Sequence, residues 1–347
     1  MIDRLINKIL TILRHKGIIK VKKNVSPMRW GVIGLGYMAE TFSTAIDRSK
    51  DDIVYAVASR NLEKAKAFAA NHGHCKAYGS YVDMVHDDSL HLEVVYIATP
   101  VKYHYDNIKM CLEAGKNVIC EKPITSTLSQ LEELMALAEK NNCFLMEGMW
   151  MKCLPAFQKA INWIADGKIG KKELVKVDFY KHEIIREEYT IYNASEGGGI
   201  LRDFGVYAIS FMTHFLGGEP ETQTAYSRKN AKKIDSDWQI SSSRDDIHAI
   251  VNLSSNFGSL SKAAVIGSEG YIEWDSQFNR TNRVCLYDLN GVLKEVFRAD
   301  YKYPGFEYEV AEVHNAISNG KKTSSIVNIN DTRTVMKVIE QLMQNLG

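Results

Sequence analysis

From residue 28 onward, short apolar runs alternate with stretches whose apolar positions recur every three to four residues. The runs are RWGVIG at 29–34, IVYAVAS at 53–59, EVVYIATP at 93–100, NVICEKP at 117–123 and CFLMEG at 143–148. Helical stretches fall between them, starting near Met38, ending near residues 71 and 114, and spanning about 127–140. Continuous apolar runs separated by helices predict βαβ units and a buried parallel sheet. Past Pro155 the pattern changes to alternation of apolar and polar residues over 174–184, 245–255, 270–276 and 284–299, the period of strands with one solvated or interface face. Helices are expected near 155–167, 203–216 and 330–345.

These elements predict an α/β chain in three parts. Residues 1–27 are an extension, 28–149 a Rossmann domain built on a doubly wound parallel sheet, and 150–347 an α+β domain with a large open, mainly antiparallel sheet. In the extension, Ile2, Leu5, Ile6, Ile9, Ile12 and Leu13 share one helical face, and residues 1–23 hold seven Lys/Arg against one Asp. The helix is expected to pack on protein, with an anionic membrane surface as the alternative. No uninterrupted apolar stretch there is long enough to span a bilayer.

Composition adds limits. The 347 residues are 45% hydrophobic and 24% charged with mean hydropathy -0.22, ample for two cores. Net charge is +1, so the chain after the basic extension is net acidic, which argues against a nucleic-acid partner. Six scattered cysteines without CxxC spacing point to neither zinc nor a disulfide framework, so no metal is expected and the setting is read as reducing and cytoplasmic.

The first glycine cluster, Gly34-Leu35-Gly36-Tyr37-Met38-Ala39, follows the first strand and opens a helix. One glycine permits the tight turn, the next lets backbone amides approach a pyrophosphate, and the alanine allows close packing. The second strand ends Ala58-Ser59-Arg60-Asn61, with no acidic residue to hold a ribose hydroxyl; Asp51 and Asp52 precede that strand and cannot reach. A hydroxyl and a guanidinium suit a 2′-phosphate, so NADP(H) is the expected cofactor and NAD(H) the alternative. Lys122 stands at the carboxyl end of a parallel strand, where open α/β sheets place their ligands.

Five motifs in order, GLGYMA (34–39), ATPVKYH (98–104), CEKP (120–123), GGGILRDFGVY (197–207) and GSEGYIEW (267–274), resemble the Gfo/Idh/MocA family of nicotinamide-dependent oxidoreductases. Tyrosine at 207, where many members have histidine, looks most like the dimeric dihydrodiol dehydrogenase branch. The resemblance implies cofactor contacts from Gly34, Gly36, Tyr37, Met38, Ser59, Arg60, Thr99, Pro100, His104, Glu121 and Lys122. It implies catalysis by Lys122, Tyr207 and Asp203, and substrate contacts from Lys122, Trp150, His182, Asp203 and Tyr207. In the family the lysine lies beside nicotinamide and substrate, and its proline peptide is often cis.

The implied reaction moves a hydride between nicotinamide and a carbinol carbon of a sugar, sugar derivative or cyclic diol. The hydroxyl proton must leave with it, and a tyrosine near its ordinary pKa of about 10 serves poorly as base unless a cation lowers that value. Lys122 is expected to be that cation, Asp203 an orienting acceptor and helix cap, and His182 more often structural than a ligand. Two segments depart from the family pattern: residues 190–196 lack its arginine and Pro-Glu pair, and its Trp-x-Arg reads Trp150-Met151-Lys152. Both border the family's substrate pocket, so substrate identity is left open. The alternatives are a lyase or epimerase with tightly held NAD and a non-catalytic cofactor or sugar sensor. A homodimer through the open sheet is expected.

Overall fold

The computed structural model describes residues 27–182, 198–301 and 305–344. The expected extension helix and the departing segment 190–196 lie outside the described residues.

Six strands, β1 (Met28–Ile33), β2 (Asp52–Ala58), β3 (Lys76–Tyr78), β4 (Val94–Ile97), β5 (Asn117–Glu121) and β6 (Leu145–Gly148), form one sheet in the order β3-β2-β1-β4-β5-β6. Every pair in it is parallel. Alternate side chains of the central strands enter different cores. Val94 and Tyr96 pack with Phe42 of the helix Tyr37–Arg48, while Val95 and Ile97 pack with Ile108 of His104–Glu113 and Leu131 of Leu128–Lys140. Two buried faces explain why these runs read as apolar throughout. The helices Leu62–Asn71 and Leu128–Lys140 start at Asn61 and Thr127, whose side chains accept from Lys64 N and Gln130 N. The helix Tyr37–Arg48 has no such side-chain cap.

The second sheet has eight strands: β7 (Lys172–Tyr180), β8 (Thr222–Lys229), β9 (Asp235–Arg244), β10 (Ile247–Ser254), β11 (Ala263–Gly267), β12 (Gly270–Trp274), β13 (Arg283–Asp288) and β14 (Leu293–Arg298). Their order is β14-β13-β12-β11-β7-β10-β9-β8, antiparallel except for the central β7–β10 pair. On one face Phe157 of the helix Pro155–Ala165 and Phe211 and Phe215 of Val206–Leu216 meet Trp274 of β12. The opposite face is open and carries Ile250 and Tyr226, 40% and 62% exposed.

Four features depart from the sequence expectation. The alternating stretch 284–299 is a hairpin rather than one strand, turning at Asn290-Gly291, where Gly291 has φ +78°. Strands β3, β8, β9 and β11 and the helices Tyr81–Val85, Trp150–Cys153 and Phe306–Ser318 were not expected, although Phe306, Val310 and Val313 carry a helical period. Asp203 is not a helix cap; it lies inside a π-helical turn, Leu201–Gly205, that runs directly into Val206–Leu216. The chain's last two helices also return toward the first sheet. Phe306 packs on Phe42 with ring centroids 5.7 Å apart, and Ile329 and Met336 of the helix Ile329–Gln344 share a core with Leu131 and Leu134. The two sheets therefore meet across a common apolar seam, and a cleft opens at its edge.

Candidate active site

The cleft has a volume of about 650 Å³ and runs from the start of the helix Tyr37–Arg48, past the carboxyl ends of β4 and β5, to the ends of β7 and the loop before β13. Gly34 takes φ +87°, and a side chain there would strike Thr99 N and the Ala98 carbonyl carbon at 2.5 and 2.6 Å, so the turn after β1 requires glycine. A side chain at Gly36 would meet nothing within 4 Å. Open space before an uncapped helix N-terminus, with Tyr37, Met38 and Thr41 facing the cleft, fits a pyrophosphate held by backbone amides.

At the end of β2, Ser59 is buried and its Oγ accepts from Asn61 N. Arg60 is exposed, its guanidinium 5.4 Å from the Tyr103 ring centroid. After β4, Thr99 and Pro100 line the cleft, and His104 ties two loops together, Nε2 lying 2.5 Å from Thr99 O and Nδ1 3.0 Å from Pro123 O. Burial holds the imidazole below its usual pKa, against the two carbonyls that favour the charged ring.

Two buried carboxylates flank the Lys122–Pro123 peptide, which is cis. Glu121 accepts from Lys122 N and from the Tyr96 hydroxyl at 2.7 Å, and Glu147 accepts from Ile124 N at 3.1 Å and Thr332 Oγ1 at 3.3 Å. Burial raises both, Glu147 to about 7, against the hydrogen bonds they accept and the pull of Lys122. Sequence reasoning missed Glu147, because only the β5–β6 pairing brings it under this loop.

Lys122 Nζ donates to Asp203 Oδ1 and to the Asp203 carbonyl, both at 2.7 Å, and sits 5.2 Å from the Tyr207 ring centroid. Burial works against its charge, yet Asp203 and then Tyr207 more than compensate, and its pKa rises: the ammonium persists. The loop that presents Asp203 is fixed from behind by Asp235, another residue the sequence did not single out. Its Oδ2 accepts from Leu201 N at 2.9 Å and from Trp238 Nε1 at 2.8 Å. Gly199, at φ +121°, lies so close that a side chain would collide with the Asp235 carboxylate.

Tyr207 lies in the first turn of the helix after the π-helical turn, and its hydroxyl oxygen accepts from Trp150 Nε1 at 2.9 Å. Lys122 does act to depress the phenol, as expected, but it does not set the net shift. Burial pushes Tyr207 up, and the opposing pull of Lys122 and the Trp150 hydrogen bond is smaller, so the resting phenol is neutral. Trp150 is itself buried and stacks on Phe306, centroids 4.8 Å apart. Its neighbour Lys152 is buried and pairs with Asp331 at 3.1 Å. His182 is exposed and does not line the cleft.

Thus Lys122, Asp203, Tyr207 and Trp150 converge at one point, whereas Ser59 and Arg60, at the end of β2, do not line the cleft. Among the described residues no cluster of His, Cys, Asp and Glu could hold a metal, and no helix is long and apolar enough to cross a membrane.

Comparison with known proteins agrees with this fold. Residues 28–149 match a family described as oxidoreductases with an NAD-binding Rossmann fold, and residues 157–273 match the GFO/IDH/MocA C-terminal domain. The chain is 30% identical over 332 residues to a trans-1,2-dihydrobenzene-1,2-diol dehydrogenase of Xenopus tropicalis, covering 92% of this chain and 98% of that protein. It is 27% identical over 337 residues to the enzyme of that name from Homo sapiens, covering 92% and 97%. Among solved structures, an aldose-aldose oxidoreductase from Caulobacter crescentus complexed with glycerol has TM-score 0.82 at 21% identity, over 92% of this chain and 97% of that one. A 3-ketoreductase from Actinomadura kijaniata, in complex with NADP and TDP-benzene, has TM-score 0.80 at 23% identity, over 92% and 98%.

Proposed function

The chain belongs to the Gfo/Idh/MocA oxidoreductase family, and from that premise we propose that it is an NADP(H)-dependent enzyme acting on a carbinol carbon of a sugar, sugar derivative or cyclic diol. The observation that supports it best is the convergence of Lys122, Asp203 and Tyr207 at the carboxyl end of β5, beside a glycine turn and an uncapped helix start. Gly34, Gly36, Tyr37 and Met38 hold the pyrophosphate. Ser59 and Arg60 read the 2′-phosphate, and Thr99, Pro100, His104, Glu121 and Lys122 shape the nicotinamide end. Arg60 carries the preference for NADP(H) over NAD(H), since no carboxylate stands at the end of β2.

The bound nicotinamide supplies or accepts the hydride. In the reducing direction, a carbonyl carbon gains that hydride while the Tyr207 O–H breaks and its proton goes to the carbonyl oxygen, leaving a phenolate beside the Lys122 ammonium. In the oxidising direction, the substrate C–H electrons leave with the hydride and the hydroxyl proton goes to that phenolate. Lys122 stabilises the anionic oxygen in both, and Asp203 fixes Lys122 and accepts from a neighbouring substrate hydroxyl. The raised pKa of Tyr207 makes the resting site a proton donor.

The open face bearing Ile250 and Tyr226 is the surface for a homodimer. Six unpaired cysteines among the described residues accord with a reducing, cytoplasmic setting. The test is nicotinamide absorbance with NADP+ or NADPH and a panel of aldoses, ketoses and diols. Net turnover supports the proposal; tightly retained cofactor with product but no net absorbance change indicates a lyase or epimerase, and binding without reaction indicates a sensor.

A further inference from the structure

The indole of Trp150 reaches Tyr207 across 57 positions of sequence, and does so with its only polar atom. A phenolic oxygen both donates and accepts. Here the accepting role is taken by Trp150 Nε1 at 2.9 Å in a buried setting, so the hydroxyl hydrogen is left to point elsewhere. The indole cannot swing away to release it. Its ring stacks on Phe306 at 4.8 Å and 29°, and Phe306 in turn packs on Phe42 of the first sheet's helix. Trp150 begins the four-residue helix Trp150–Cys153 directly after β6, at the junction between the two sheets. The rigid seam thus sets the direction of one hydrogen bond at Tyr207.

We propose that Trp150 is a positioning residue for proton transfer, its indole N–H occupying the acceptor side of the Tyr207 hydroxyl so that the O–H is presented to the substrate oxygen. This rests on the reading of Tyr207 as the acid/base. It reassigns Trp150 from a wall that substrate touches to a group that acts through Tyr207. The same N–H stabilises the phenolate formed when that proton leaves, since an anionic acceptor strengthens the bond. The seam between the sheets therefore reaches the chemistry directly: a shift of Phe306 moves the indole, and the indole re-aims the phenol.

The experiment is a double-mutant cycle read in kcat and KM separately, using whichever panel substrate is turned over. Trp150→Phe keeps an aromatic ring over Phe306 and deletes the N–H. It should lower kcat about tenfold, the size of one hydrogen bond, with KM and cofactor affinity little changed. In the Tyr207→Phe background the same substitution should cost nothing further, because the group it positions is gone. Phe306→Leu, which leaves the N–H but removes its shelf, should give a smaller loss that also vanishes in that background, and it supplies the test should Trp150→Phe fold poorly. A Trp150→Phe enzyme that raises KM with unchanged kcat, or whose loss persists in full on Tyr207→Phe, overturns the proposal and returns Trp150 to the substrate wall. If instead Tyr207→Phe turns over like the wild type, it is the acid/base assignment that has failed.

Discussion

Replacing Lys122 by methionine keeps an unbranched side chain one atom shorter, removes its charge, and isolates what the ammonium does. In the wild type Nζ is 5.2 Å from the Tyr207 ring centroid and the side chain is 13% exposed. With an effective dielectric constant of about 20, a unit charge at that separation stabilises a phenolate or substrate oxyanion by about 3 kcal/mol, which corresponds to roughly 10²-fold in rate. Asp203 would also lose its partner and the double grip on its carbonyl and carboxylate, so the loss should not be smaller. Cofactor affinity should change less than kcat, because the proposed pyrophosphate and 2′-phosphate contacts do not involve Lys122. The assay is steady-state nicotinamide absorbance from acid to alkaline pH, with cofactor affinity measured by fluorescence titration. Lys122→Met should lower kcat about 10²-fold and displace the alkaline side of the pH profile, because the phenol then loses the cation that opposes burial. Turnover within about threefold of wild type on an unchanged pH profile would refute the coupling of Lys122 to the acid/base group.

Other expectations follow from the same geometry. Arg60→Ala should weaken NADP(H) by about 2 kcal/mol while sparing NAD(H), measured by titration with each cofactor; equal weakening of both removes Arg60 as the phosphate reader. Glu147 sits near pKa 7 against 4.5 when solvated, so the folded state holds its proton longer than the unfolded chain. Its share of stability is complete below about pH 4.5 and is lost as pH rises to about 7, up to about 3 kcal/mol in all. Glu147→Gln, which can still accept from Ile124 N, should flatten that decline in denaturant titrations; an unchanged slope would show that another group sets it. Ile250→Arg on the open sheet face should shift the protein toward monomer in sedimentation, and an unaltered sedimentation profile would place any dimer interface elsewhere.

Much of this site is legible in the sequence. The parallel sheet announced itself because its central strands are apolar on both faces, and GLGYMA gave the turn because a Gly34 side chain has no room. Lys122 and Tyr207 were marked by the spelling of their motifs. What stayed hidden depends on contacts between distant residues. The Trp150–Tyr207 bond, Asp235 behind Gly199 and Glu147 beneath the lysine loop arise from packing that no local pattern encodes. The sign of the Tyr207 shift was misjudged for the same reason: the lysine was visible in sequence, but the depth of burial that outweighs it was not. The hairpin within 284–299 and the helix Phe306–Ser318 had signals, an Asn-Gly pair and a Phe306, Val310, Val313 period, that long alternation and the lack of a polar cap obscured.

The central claim is that Tyr207 gives and takes the substrate proton under the influence of Lys122. It is tested most directly by comparing kcat of the wild type and Tyr207→Phe on one substrate, with cofactor affinity measured on both. The account predicts a fall of roughly 10² to 10⁴-fold with cofactor binding intact, the range for a lost general acid or base. A Tyr207→Phe enzyme that binds cofactor and turns over at the wild-type rate would contradict it.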